Sequence, residues 1–211
     1  MITHEIRREL LHLFVALEYG EQLAHQCATE QANWVTDDKA RRFLRMQAKQ
    51  EQSHARFFSM SANSLKSKHQ FTPPDALKQF ATRLEKAIKH RNLTESMVGS
   101  QIVLEGFGEQ ILLRLNQGLD NKGTSFKKIR HALLRQEQSH YAFGMHTLET
   151  QIQKNETSIE QVCELTSEYM QYVYLILHEL TDVFLILDED PDVYATDLVK
   201  NLPTWLRENL L

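Results

Sequence analysis

Apolar residues recur every three or four positions along most of this chain, the spacing of one helix face. From about Thr3 to Asn33 the stripe holds Leu10, Leu11, Phe14, Leu17 and Ala28, with Glu18, Glu21 and His25 on or beside it. Thr36-Asp37-Asp38 is a helix-cap signal with acidic residues in the first turn. The second helix then runs to about Leu65, striped by Ala40, Phe43, Leu44, Gln47, Glu51, His54, Phe57 and Phe58. Pro73-Pro74 leads into a short helix over 75–90. Thr94 is expected to cap a third long helix reaching about Gln117, with Val98, Ile102, Glu105, Glu109 and Leu112 on one side. Gly118 and Gly123 bracket a turn. A fourth long helix, about 124–154, carries Ile129, Leu133, Glu137, His140 and Gly144. Thr157-Ser158-Ile159-Glu160 has capping-box spacing and opens a fifth. Asp190-Pro191 starts a last helix, which runs through Lys200 and breaks at Pro203. No useful stretch alternates with period two, so the pattern predicts an all-α bundle.

Composition narrows this picture. At 211 residues the chain is expected to be one domain, 1–211, with a core bundle over about 3–154 and extra helices over about 157–211. Seven Gly and four Pro argue against a turn-rich β fold. A net charge of −4 gives no basic field for nucleic acid. Two cysteines, Cys27 and Cys163, form no disulfide framework, and Met1 to Glu9 has no apolar core of a signal peptide, so the expected compartment is the cytoplasm. The most apolar stretch, 169–187, contains Gln171, His178, Glu179 and Asp182 and reads as a buried helix, with no membrane span.

Candidate chemistry lies in a repeated tetrapeptide, Glu51-Gln52-Ser53-His54 and Glu137-Gln138-Ser139-His140. Residues three apart on a helix share a face, so each carboxylate and its imidazole point the same way. A single Glu-x-x-His is a chance spacing in a chain rich in both residues, and Glu9-x-x-His12 is read that way. The repeat differs, because each copy follows a helix with its own carboxylates on an apolar stripe. Glu21 and Glu51 are 30 residues apart and Glu105 and Glu137 are 32, each about one helical hairpin. Two such hairpins can bring four carboxylates and two imidazoles around two metal ions. Four negative charges then balance two dications; without metal some carboxylates must take protons. Oxygen and imidazole donors with open positions suit iron or manganese, and a diferrous pair can give two electrons to O₂. Glu18 and Glu109, a turn or less from Glu21 and Glu105, are either alternative ligands, groups that contact the ligands, or water-facing. His25 is read first as a hydrogen-bonded partner, and His178, Glu179 and Asp182 as helix-face contacts.

These motifs resemble the ferritin-like di-iron carboxylate superfamily, and most closely the aldehyde-deformylating oxygenase family. Gly20-Glu21-Gln22 is similar to that family's Gly-Glu-Gln, and Ala48-Lys49-Gln50-Glu51-Gln52-Ser53-His54 with Phe58 to its Ala-Lys-Met-Glu-x-x-His and following Phe. Leu104-Glu105-Gly106-Phe107 is similar to Ile-Glu-Cys-Phe. Arg135-Gln136-Glu137-Gln138-Ser139-His140 with Phe143-Gly144 is similar to Arg-Asp-Glu-x-x-His and Asn-Phe-Gly. The likeness runs in order over about 10–187. It implies a ferritin-like four-helix bundle with additional C-terminal helices, two bound irons (manganese–iron or di-manganese as variants), and Glu21, Glu51, His54, Glu105, Glu137 and His140 as ligands. The chain departs from the family at Gln136 (Asp there), at Ala28 and Leu112 (Tyr there) and at Glu18 and Glu109 (apolar there). The surroundings of the metals are therefore expected to differ, and such groups tune a metal site.

The function this implies is a non-haem di-iron oxidase or oxygenase using O₂, a small apolar organic substrate and an external electron donor, as a monomer or homodimer. Iron handling or peroxide reduction, as in ferritin and rubrerythrin, is the alternative, though no rubredoxin-like Cys pairs are present. A di-iron tRNA hydroxylase is a third reading, which the acidic balance disfavours.

Overall fold

The computed structural model describes residues 3–65, 70–121 and 127–210, and side chains among them except at 115–121 and 127–130. The described residues are helical throughout, with no strand among them. Four long helices carry the bundle. The first hairpin is α1 (His4–Trp34) and α2 (Asp38–Ser64). Thr3 caps α1 by accepting from Ile6 N, and Asp37 caps α2 by accepting from Ala40 N, as their side-chain oxygens fit them to do. A short α3 (Asp75–Lys89) crosses next.

The third long helix differs from its prediction. Asn92, not Thr94, caps it, because Asn92 Oδ1 accepts from Glu95 N while Thr94 donates to Gln151. It begins as α4 (Leu93–Met97), widens into a π-helical segment (Val98–Leu104), and resumes as α5 (Glu105–Asn121). At the junction Glu105 N bonds Ser100 O, five residues back, so the π turn ends on a predicted ligand. Gly118 is inside this helix rather than in a turn; Gly123 and Thr124 lie outside the described residues. The second hairpin is completed by α6 (Lys127–Gln153).

The C-terminal helices cover one side. Ser158 caps α7 (Ile159–Glu179), one residue later than the capping-box reading, by accepting from Gln161 N. The apolar stretch over 169–187 breaks at Leu180 into α7 and α8 (Thr181–Ile186). Asp190 caps α9 (Pro191–Asn201), and α10 (Thr204–Arg207) follows Pro203. The carboxylate of Glu179 accepts from Asp75 N (2.6 Å) and Ala76 N (2.9 Å), closing the open start of α3. In the packing α1 lies along α2, α5 along α6, and α7 against both α3 and the π segment. Among the described residues, no helix is long and apolar enough to cross a membrane.

Candidate metal centre

Six residues predicted from sequence meet at the centre of the four long helices. Each contributes from a helix face that is otherwise apolar, so burial of the stripe carries the polar group inward. Glu51, His54, Glu105, Glu137 and His140 are buried, and the Glu21 side chain is 12% exposed. They form two overlapping groups, Glu21–Glu51–His54–Glu137 and Glu51–Glu105–Glu137–His140, whose ligand-type atoms lie within 4.8 Å of one another. Either could hold a metal ion, and Glu51 and Glu137 belong to both.

The two groups are related by a pseudo-twofold. His54 Nδ1 lies 3.3 Å from Glu21, 3.0 Å from Glu51 and 3.2 Å from Glu137. His140 Nδ1 lies 2.9 Å from Glu51, 3.5 Å from Glu105 and 3.9 Å from Glu137. The far nitrogens are held crosswise. His54 Nε2 donates to Gln136 Oε1 at 2.7 Å, and His140 Nε2 donates to Gln50 Oε1 at 2.8 Å. A ring that donates from Nε2 has its Nδ1 lone pair free for a cation. Each glutamine directly precedes the Glu of the opposite motif, so the working repeat is Gln-Glu-Gln-Ser-His, one residue longer than the tetrapeptide. Gln136, a departure from the resembling family, thus orients His54, and Gln50 had not been singled out.

The chemistry of this donor set fits a dinuclear cation site. Both Glu51 oxygens, Glu137 Oε1 and both Nδ1 atoms are buried without a hydrogen-bond partner. Such orphaned atoms are costly unless something else satisfies them. The electrostatics agree. Burial pushes the Glu21 carboxyl up to about 8 against the pull of His54, and drives Glu137 well above the carboxylate range with Glu105 adding to it. Burial works the same way on Glu51, but His140 and His54 outweigh it and hold the group down at about 2. For the rings burial opposes charging and the carboxylates win: His140 rises to about 9, and His54 rises under Glu137, Glu21 and Glu51. Without cations, protons take their place.

Other candidates lie elsewhere. Glu18 accepts from Gln22 along a surface groove between α1 and α2, and Glu109 accepts from Gln138 at 2.8 Å; neither joins the cluster. His25 Nδ1 meets Ala48 O at 2.7 Å, as the partner reading expected. His178 and Asp182 are exposed and Glu179 caps α3. Glu9 pairs with Arg8, and His12 stacks on Phe71, so that spacing was chance.

An apolar pocket ends at the cluster. Glu21, Glu105 and Glu137 form one wall; Leu13, Leu17, Leu77, Leu104, Phe107, Ile111, Ile176 and Leu180 form much of the rest. Its free volume is about 50 Å³, room for about four water-sized groups in a file. Gly20 and Gly108 line it, and a Cβ at Gly108 would meet nothing within 4 Å.

A helical bundle with carboxylates and imidazoles converging between its long helices is a ferritin-like fold. Among solved structures, the chain is similar to Protein 19 with aldehyde deformylating oxidase activity, from Synechococcus, with a TM-score of 0.81 over 99% of this chain and 91% of that one. At 15% identity this likeness establishes the fold. No protein-family model matches the chain, and no curated protein matches it.

Proposed function

We propose that this chain is a di-iron oxidase or oxygenase acting on a small apolar organic substrate. The observation that carries the reading is the pair of oriented, orphaned Nδ1 atoms facing four carboxylates at the end of an apolar pocket. Glu21, Glu51, His54, Glu105, Glu137 and His140 would hold two irons, which when bound supply the electrons for O₂ chemistry. The protein's own part is positional. Gln50 and Gln136 fix the tautomer and tilt of the two rings. The leucine-lined pocket admits an apolar group and excludes water, which strengthens every charge interaction within the cluster. Glu18 and Glu109 lie outside the cluster, so they add no carboxylates to it beyond the four.

The test is reconstitution with Fe(II) under anaerobic conditions, followed by metal analysis and O₂ uptake with short aldehydes and alkanes. Two irons per chain are expected, with O₂ consumption that rises when substrate is present. The His54→Ala, His140→Ala double variant is expected to bind neither iron. Full two-metal binding by that variant would sink the assignment.

A further inference from the structure

A buried chain of amides ends on the cluster at Glu105. Gln47 Nε2 donates to Glu105 Oε1 at 2.9 Å. Gln101 Nε2 donates to Gln47 Oε1 at 3.4 Å and to Gln31 Oε1 at 2.7 Å. Gln31 Nε2 returns a bond to Gln101 Oε1 at 3.2 Å and reaches the Ser96 and Ser100 hydroxyls at 3.1 and 3.2 Å. All three glutamines have zero exposure. Three buried amides cost more than the leucines that could fill the space, and only full satisfaction offsets that cost.

The backbone is shaped around this chain. The π segment carries Ser100 and Gln101 and ends at Glu105. Gly144 of α6 leaves room for it: a Cβ there would sit 2.4 Å from Gln101 Cβ. The chain also has a fixed polarity. An ionised carboxylate only accepts, so Gln47 must turn its nitrogen to Glu105, which leaves its oxygen for Gln101, and so on outward. The pseudo-twofold makes a sharp contrast. Gln47 stands four residues before Glu51; four residues before Glu137 stands Leu133, buried and apolar. Glu105 therefore has an amide donor that the equivalent position cannot give Glu21.

We infer that Gln47 is a positioning residue that pins Glu105 with one oxygen toward the metal pair, while Glu21 has no such anchor, so the two metal positions are unequal. The inference rests on the metal-centre reading above. Gln101 donates to the oxygen of the Gln47 amide, and the nitrogen of that amide holds Glu105 before any cation arrives. Groups around a metal site that orient a ligand typically change affinity about 10–100-fold when removed.

The test is a Co(II) titration of the full chain, read by d–d absorption, with His54→Ala and His140→Ala used to assign the two steps. Gln47→Leu, which copies position 133, is expected to weaken the Glu105/His140 step about tenfold and to alter its absorption band. The Glu21/His54 step should stay within about twofold. Gln31→Leu damages the same buried network but leaves the donor to Glu105 in place. It should lower apoprotein melting as Gln47→Leu does, while sparing both steps. If Gln47→Leu leaves both steps unchanged, or if Gln31→Leu weakens the same step equally, Gln47 is structural and the inference is overturned. If the wild-type chain takes up no Co(II), the metal-centre reading itself falls.

Discussion

Metal loading is expected to expel protons, and the cluster gives the number. Four carboxylates bring four negative charges into a largely buried site. A buried net charge is strongly disfavoured, so the apoprotein cluster must carry about four protons to reach neutrality. Glu21, Glu137, His54 and His140, all pushed upward by burial or by facing carboxylates, are the groups that favour carrying them. Two dications also bring four positive charges, while the ligands must be carboxylates and neutral imidazoles. Loading is therefore an exchange of about four protons for two metals. Each competing proton contributes about tenfold in apparent affinity per pH unit, so the two-metal constant should rise about 10⁴-fold per unit near neutrality. The slope should flatten as pH passes the Glu21 value of about 8 and the His140 value of about 9. Apoprotein stability runs the other way. Glu21 is raised on folding, so its stabilising contribution is complete below the ordinary carboxylate range and is lost as pH climbs towards 8. Isothermal titration at pH 7 in buffers of different ionisation enthalpy counts the protons directly. A release of one or none, or an affinity flat between pH 6 and 8, would refute the account of a proton-filled site.

Three further outcomes are expected. Glu105→Ala should lower occupancy of one metal, while Glu109→Ala, which removes only the partner of Gln138, should leave metal content unchanged by elemental analysis. Gly108→Leu adds a bulky side chain at a pocket-lining position where a Cβ meets nothing and replaces a helical glycine, so stability should hold or rise by up to about 1 kcal/mol, metal content should be unchanged, and turnover of apolar substrates should drop about tenfold; unchanged turnover would detach the pocket from the reaction. Glu179→Ala opens the start of α3 and should cost about 1–2 kcal/mol in denaturant melts, the range of a lost helix cap, with no effect on metal binding.

The cluster was legible in sequence because helical period converts spacing into direction. Glu51 with His54 and Glu137 with His140 are each three apart, and repetition lifted them above chance. The choices of Glu21 over Glu18 and Glu105 over Glu109 were not legible from period alone. Residues three or four apart occupy one stripe, and only packing decides which end of the stripe reaches the centre. The crosswise glutamines were present as a fifth repeated residue, but the bonds of Gln50 with His140 and of Gln136 with His54 join residues 90 and 82 positions apart. The π segment left no mark, since Val98-Gly99-Ser100-Gln101-Ile102 reads as ordinary apolar helix. What selects it is tertiary: Gly99 packs so near Tyr169 that a Cβ would sit 2.8 Å from the ring, and Gly144 admits Gln101.

The internal repeat explains both the likeness of the two metal positions and the limit of that likeness. Repeating one hairpin gives two Glu/His groups, shared carboxylates and exchanged glutamines, because a twofold relation satisfies each half's needs with the other half's side chains. A site with only that symmetry would present the same face in both directions. Here the symmetry is broken on both sides of the cluster. Along the pocket the walls are leucine, isoleucine and glycine from α1, α3, α5 and α7, and the boundary carboxylates are Glu21, which Leu133 leaves without an amide donor, Glu105 and Glu137. Towards the π segment the boundary is a locked row of amides ending on Glu105. The apolar pocket is the approach suited to an apolar reactant. On the proposed reading, both carboxylates border the approach, Glu21 without an amide anchor and Glu105 pinned by Gln47.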